Sequence, residues 1–85
     1  MKITKITMPN CPKCRNIQPV WEKVKEKHPE HKFIETDISR DSDILIDLKR
    51  ENICSMPCFM KETKLGLKFN CNIYGEKDLE DFINE

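Results

Sequence analysis

The spacing of apolar and polar residues predicts a strand and then a helix at the start of the chain. Lys2 to Met8 is rich in β-branched residues and stops at Pro9, which predicts a short strand that enters a loop. From Pro12 to about His28 apolar residues recur at helical spacing, and Pro29 ends the run. The apolar positions of this first helix are Ile17, Val20, Trp21 and Val24.

A second strand and a second helix follow. His31 to Ile38 predicts the strand, and Ser39 and Asp41 offer N-caps to the helix, which ends near Asn52. One face of that helix carries Ile44, Leu45 and Leu48. Strands joined through a helix make a right-handed crossover, so we expect the first two strands to be parallel neighbours.

The last third of the chain predicts two more strands and a closing helix. Cys58 to Lys61 predicts a short third strand, and a turn at 62–64 leads into the fourth. Apolar residues alternate with polar ones along the fourth strand, which predicts one buried face. Its apolar positions are Leu65, Leu67, Phe69, Cys71 and Ile73. Asp78 to Glu85 carries Leu79, Phe82 and Ile83 at helical spacing.

The resulting order, β-α-β-α-β-β-α, predicts an α/β fold with a four-stranded mixed sheet flanked by three helices. The last two strands are joined by a short turn and should be antiparallel. The 85 residues, 38% of them hydrophobic and 35% charged, indicate one domain over residues 1–85, since two domains do not fit in this length.

The charge balance and the apolar runs exclude two classes of partner. Fifteen basic and 15 acidic residues give zero net charge, which leaves no electrostatic footprint for nucleic acid or an anionic membrane. The longest apolar runs are three residues, as at Ile44–Ile46, too short for a membrane span or a signal peptide. We therefore expect a cytoplasmic protein. Separately, we expect a monomer.

Five cysteines are present, and their odd number prevents full internal pairing. Structural thiols stay reduced in the cytosol, so these cysteines indicate redox chemistry, metal binding or core packing. Cys11 and Cys14 stand at the predicted start of the first helix. A thiol just before Pro12, a residue suited to the first helical position, meets free backbone N–H groups and the positive end of the helix dipole. That environment, with the charge of Lys13, favours a thiolate.

These positions assign Cys11 as the attacking thiol and Cys14 as the resolving one. A Cys-x-x-Cys pair after the first strand of a β-α-β unit favours redox chemistry, although zinc sites use the same spacing. A metal cluster of Cys11, Cys14, Cys54 and Cys58 is conceivable. Its two pairs are separated by 39 residues, whereas zinc ribbons use about 15 to 20.

The stretch CPKCRNIQPVWEKVKEKHP resembles the active-site helix of the thioredoxin family, including a helix-kinking proline at Pro19. The segment NICSMPC at 52–58 resembles the thioredoxin-superfamily segment that ends in a cis-proline. The resemblance implies a thioredoxin fold in which Pro57 is cis and faces the dithiol. It also implies that Met56 offers its backbone to a substrate strand.

Other positions depart from the thioredoxin pattern toward glutaredoxins, whose chain length and Cys-Pro-x-Cys form are similar. Asn10 replaces the tryptophan that precedes the first cysteine in thioredoxins, and Lys5 stands where they carry a buried aspartate. Glutaredoxins bind glutathione through a Gly-Gly pair and an aspartate. The corresponding stretch here keeps Gly75 and Asp78 but has Tyr74 for the first glycine.

The resemblance implies a thiol-disulfide oxidoreductase that reduces protein disulfides through a mixed disulfide. It needs no bound cofactor beyond a redox-active Cys11–Cys14 disulfide, and its electrons come from a thioredoxin-reductase-like flavoprotein that uses NADPH. A glutathione-dependent glutaredoxin is the alternative, and a metal-binding module the third hypothesis.

For the remaining cysteines and the two histidines we weigh structural roles against chemical ones. Cys71 is expected to be a small buried hydrophobe, while the roles of Cys54 and Cys58 stay open between packing and chemistry. His28 and His31 are expected to be solvated turn residues.

Overall fold

The computed structural model of the protein describes residues 1–53 and 55–85, so Cys54 lies outside the described residues. The strands are β1 (Lys2–Thr7), β2 (Lys32–Asp37), β3 (Cys58–Thr63) and β4 (Gly66–Asn70). The helices are α1 (Pro12–Asn16), α2 (Gln18–Lys27), α3 (Ser42–Arg50) and α4 (Glu76–Asn84), with a 3-10 turn at Ile38–Arg40. Among these helices, none has the length and apolar character that crossing a bilayer requires.

The four strands form one mixed sheet in the order β2-β1-β3-β4. β1 and β2 are parallel, while β3 is antiparallel to both β1 and β4. The predicted α/β architecture and its parallel and antiparallel pairs are therefore confirmed.

Each face of the sheet has its own apolar cluster, because strand side chains alternate between the two faces. Ile3 and Phe59 point to the face covered by α2 and α4, where Trp21 and Phe82 are buried. Ile6, Cys58 and Met60 point to the opposite face, where Leu48 of α3 packs against them. The sheet is thus the middle of three layers, and the Cys11–Cys14 pair belongs to the second cluster.

The first predicted helix is divided in two at Ile17, whereas the sequence predicts one helix with a bend. Pro19 has no N–H to donate to Arg15, so the regular ladder is interrupted there. The N–H of Ile17 still makes the helical bond to the carbonyl of Lys13 and also contacts that of Arg15. The short α1 carries the cysteine pair, and the longer α2 supplies Trp21 and Val24 to the core.

Two further expectations need correction. Asp41 alone caps α3, through its carboxylate and the N–H of Ile44 at 3.1 Å, while Ser39 lies within the 3-10 turn. The fourth strand ends at Asn70, and the predicted buried positions Leu65 and Leu67 are 93% and 42% exposed. β4 is an edge strand, and a two-residue turn places Leu65 at the tip of the β3–β4 hairpin.

Lys61 is a buried lysine of β3 that ties α4 to the sheet. Its side chain is fully buried, and its ammonium donates to the carbonyls of Phe82 at 2.6 Å and Glu85 at 3.3 Å. The last carbonyls of a helix have no partner within the helix, so Lys61 satisfies groups that would otherwise lack one. This contact holds the end of α4 against the sheet.

Candidate active site

Cys11 and Cys14 form a disulfide at the start of α1, with their Cα atoms 5.2 Å apart. Cys11 is the N-cap of α1, and its Sγ accepts a hydrogen bond from the N–H of Cys14 at 3.1 Å. Both sulfur-bearing residues are nearly buried, with 5% and 6% of their surface exposed. A backbone donor aimed at the Cys11 sulfur stabilises negative charge on it once the bond is reduced.

The residues around the pair shape its loop. Asn10, directly before Cys11, has a φ of 57°, a left-handed conformation that asparagine accepts more readily than most residues. Pro12 occupies the first turn of α1, where its missing N–H costs nothing. Lys13 and Arg15 are exposed and add positive charge on the same short helix.

The segment at Pro57 lies against the disulfide. The Met56–Pro57 peptide bond is cis, as the resemblance implies. The carbonyl oxygen of Met56 is 3.9 Å from the Sγ of Cys11, and both residues are buried. The structure therefore brings Cys11 and the Met56–Pro57 segment together, although they are 45 residues apart in sequence.

Two of the clefts in the described part of the chain lie on either side of the Met56–Cys11 contact, and only the second is lined by Cys11 and Cys14 themselves. The first, which we call the docking cleft, has a volume of about 290 Å³, and its walls include Lys13, Met56, Pro57, Cys71 and Tyr74. The second, which we call the rear cleft, has a volume of about 580 Å³ and is lined by both cysteines together with Lys5, Gln18 and Glu35. One side of the disulfide thus meets the Pro57 segment, and the other meets a polar group from β1, α2 and β2.

Lys5 is the centre of the polar group in the rear cleft. Its side chain is 2% exposed, and its ammonium donates to Glu35 Oε1 at 2.9 Å and to the side-chain oxygen of Gln18. Burial raises the pKa of Glu35, but the hydrogen bond and charge of Lys5 outweigh burial and hold that pKa below its ordinary value. Lys5 stands where the resemblance implies an aspartate in thioredoxins, and here it forms an ion pair whose buried member is the cation.

Sequence reasoning singled out Lys5 only as a departure and missed Glu35 and Gln18. Lys5 and Glu35 are direct partners in the parallel β1–β2 register. The pair depends on β2 starting at Lys32, because the predicted start at His31 would set Lys5 opposite Ile34.

The two residues considered for glutathione lie at the start of α4. Gly75 is the N-cap residue, and the carboxylate of Asp78 accepts a hydrogen bond from the N–H of Tyr74 at 3.0 Å. Tyr74 lines the docking cleft, whereas Gly75 and Asp78 do not. The carboxylate of Asp78 is therefore already hydrogen-bonded to the backbone of its own segment.

Cys58 and Cys71 lie beside each other, with their sulfur atoms 2.7 Å apart. Cys58 is fully buried, as expected of a core thiol, and Cys71 is half-buried. Burial, together with the neighbouring sulfur of Cys71, raises the pKa of Cys58 above its ordinary value. The four-cysteine cluster considered from the sequence includes Cys54, which falls outside the described residues.

His28 and His31 are less exposed than expected of solvated turn residues. Both are half-buried, and the Nδ1 of His28 is 3.0 Å from Glu30 Oε1 while its Nε2 contacts Glu80. The hydrogen bond to Glu80 raises the pKa of His28 above its ordinary value. These contacts make the histidine turn a junction between α2 and α4.

Comparisons with solved structures place the fold. The chain resembles mitochondrial thioredoxin 3 of Saccharomyces cerevisiae, with a TM-score of 0.78 and 22% identity over 98% of this chain and 76% of that one. For the thioredoxin of Plasmodium falciparum the TM-score is 0.76, with 23% identity over 96% of this chain and 81% of that one. For the thioredoxin of Fasciola hepatica the TM-score is 0.78, with 20% identity over 98% of this chain and 77% of that one. The sequence matches no protein-family model and no curated protein. The chain has the thioredoxin fold.

Proposed function

We propose that the protein is a thiol-disulfide oxidoreductase that reduces protein disulfides with the Cys11/Cys14 dithiol. The observation that supports the proposal most is the Cys11–Cys14 disulfide at the start of α1, whose Cys11 sulfur lies 3.9 Å from the carbonyl oxygen of Met56. Two cysteines separated by two residues at the start of a helix suit repeated opening and closing of a disulfide.

The first step is attack by Cys11 on the substrate disulfide. The Cys11 thiolate forms a bond to one substrate sulfur, the substrate S–S bond breaks, and the other sulfur leaves as a thiolate that takes a proton from solvent. The N–H of Cys14 points at the Cys11 sulfur and stabilises its anionic form before attack.

The second step is resolution by Cys14. Cys14 loses its proton, and its sulfur attacks Sγ of Cys11, which restores the protein disulfide and releases the substrate as a dithiol. Cys14 shares the rear cleft with Lys5 and Glu35. A cation at this position favours the Cys14 thiolate, and the cleft gives the proton a polar path to solvent.

The docking cleft supplies the site for the substrate segment. Pro57 and Met56 form one wall, and exposed Tyr74 forms part of another. An extended segment that crosses this cleft meets the Met56 backbone beside Cys11. Lys13, at the edge of the cleft, adds a positive charge that favours acidic substrate segments.

We propose that electrons return through a thioredoxin-reductase-like flavoprotein, with the protein working as a cytoplasmic monomer. A glutathione-dependent reaction is less supported, because Asp78 is engaged by the N–H of Tyr74 and one glycine of the glutathione pattern is a tyrosine.

Reduction of insulin disulfides by dithiothreitol tests the proposal. We expect wild type to accelerate the reaction and Cys11→Ser to fall to the uncatalysed rate while keeping its fold by circular dichroism. An equal rate for Cys11→Ser and wild type would refute the assignment. In parallel, glutathione with glutathione reductase and a glutathione mixed disulfide is expected to give no turnover, and turnover there would favour the glutaredoxin alternative.

A further inference from the structure

We propose that Cys58 and Cys71 form a second, reversible disulfide in the wall of the docking cleft. The strand register carries the first part of the argument. β3 and β4 are antiparallel, with Phe59 opposite Asn70, so the next pair along the ladder sets Cys58 opposite Cys71. Directly opposed residues of antiparallel strands have Cα atoms about 4.5 to 5.5 Å apart, inside the range of natural disulfides.

The side chains of Cys58 and Cys71 are in contact in this structure. The two sulfur atoms are 2.7 Å apart, and both cysteines are free thiols. Closing the bond requires only a small movement of two side chains at the end of a hairpin.

The two thiols differ in solvent exposure, and this difference determines which of them reacts first with an oxidant. Cys71 is half-buried and lines the docking cleft, whereas Cys58 is fully buried behind it. An oxidant therefore reaches Cys71 first. Cys58 is poorly placed to react with a reagent from solvent but lies within reach of any sulfur bonded to Cys71.

The oxidant we assign is a small disulfide such as oxidised glutathione. The Cys71 thiolate attacks it, a Cys71 mixed disulfide forms, and one thiol is released after protonation by solvent. Cys58 then loses its proton and attacks the Cys71 sulfur, which releases the second thiol. Two electrons pass from the cysteine pair to the reagent, and dithiothreitol reverses the sequence.

The position of the bond gives it a consequence for the docking cleft. Cys58 directly follows Pro57, and Cys71 begins the 71–74 segment of the opposite wall. A bond between them fixes one wall to the other. This bond would thus act on the docking cleft through residues other than Cys11 and Cys14.

The test uses the full chain with Cys11, Cys14 and Cys54 replaced by serine, so that only Cys58 and Cys71 remain as thiols. After treatment with oxidised glutathione we expect a mass lower by two hydrogens, no alkylatable thiol, and one peptide pair that links positions 58 and 71. Dithiothreitol should restore both thiols. Two free thiols, a glutathione adduct that persists on Cys71, or a disulfide-linked dimer would each overturn the proposal.

Two controls separate the bond from general thiol reactivity. In the same background, Cys58→Ser is expected to accumulate the mixed disulfide on Cys71, and Cys71→Ser is expected to leave Cys58 unmodified. If the triple variant does not fold, the same peptide mapping on oxidised wild type decides the question by the presence or absence of the 58–71 linked pair. Failure of this proposal leaves the Cys11/Cys14 assignment unaffected, because the insulin assay tests that separately.

Discussion

The ammonium of Lys5 and the carboxylate of Glu35 are 2.9 Å apart across the β1–β2 pair, at the rear of the Cys11–Cys14 disulfide. The lysine side chain is 2% exposed and the glutamate side chain 46% exposed, so the pair reaches from the core to solvent. A buried charge is costly without a partner. Glu35 therefore offsets the cost of burying the lysine, and both residues line the rear cleft together with Cys14.

We predict that Glu35→Gln destabilises the protein by about 1–2 kcal/mol, because it leaves the Lys5 ammonium with only neutral partners. Breaking a buried pair costs about 3–5 kcal/mol, and the exposure of Glu35 reduces that figure. The matched control is Lys5→Met, which removes the charge and keeps an apolar chain of similar volume, at a cost below about 1 kcal/mol. Urea unfolding of the three proteins measures both values. The reverse order of stabilities would contradict this account of the pair.

The same pair predicts a loss of stability in acid. The pKa of Glu35 in the folded protein is below its ordinary value of 4.5, so folding favours the ionised form. The resulting stabilisation is complete above pH 4.5 and disappears as the pH falls through the folded-state pKa. We expect the stability gap between wild type and Glu35→Gln to shrink steadily below pH 4.5. A gap that stays constant down to pH 2 would count against the ion pair.

His28 predicts a change of stability near neutral pH with the opposite sign. Its pKa is raised above 6.5, chiefly by Glu80, so the folded state holds the proton more tightly. The stabilisation is complete below pH 6.5 and is lost as the pH rises through the folded-state pKa. We expect wild type to exceed His28→Gln by about 0.5 kcal/mol at pH 5.5, the size of a partly screened surface pair, and by less at pH 9. Thermal unfolding at both pH values measures the difference, and Glu80→Gln should weaken the same pH dependence.

Lys13→Glu is predicted to slow alkylation of Cys11. The substitution replaces a positive with a negative charge between the two thiols in sequence, which disfavours the Cys11 thiolate. Because Lys13 is exposed and screened, we expect the pH midpoint of iodoacetamide reaction to rise by only a few tenths of a unit at low salt. A less stable thiolate should also shift the reduction potential to a more negative value.

The matched control for that charge reversal is Lys64→Glu, at an exposed position in the β3–β4 turn. β3 begins at Cys58, which packs near the Cys11–Cys14 disulfide, and it ends at Thr63. Lys64 therefore lies at the end of the strand that is far from the disulfide. The control should react like wild type. An unchanged or lower midpoint in Lys13→Glu would show that the charge of the motif does not tune this site.

Local patterns were sufficient to predict most of the fold. Apolar spacing placed the elements, and the length of each connection predicted which strands are parallel. The pattern failed for Leu65 and Leu67, because alternation marks the two faces of a strand but not how far the covering helices extend. It also missed the break at Ile17, since a proline inside a predicted helix can either bend or divide it.

Some features of the candidate site could likewise be predicted from local motifs, and others could not. Cys11, Cys14 and the cis bond at Pro57 follow from motifs that are local in sequence. The Lys5–Glu35 pair and the meeting of Cys58 with Cys71 depend on strand register, which motifs do not contain. The predicted bounds do not give that register: a strand that starts at His31 sets Lys5 opposite Ile34, and a turn at 62–64 sets Cys58 opposite Lys68.

Trapping of the mixed disulfide with a disulfide-containing protein tests the central claim, that Cys11 attacks and Cys14 resolves, most directly. Reduced Cys14→Ser and reduced Cys11→Ser are each mixed with the substrate protein, and the products are resolved under non-reducing conditions and mapped by peptide mass. The account predicts that Cys14→Ser accumulates a covalent adduct through Cys11, sensitive to dithiothreitol, while Cys11→Ser accumulates none. An adduct through Cys14 in Cys11→Ser, with none on Cys14→Ser, would contradict it.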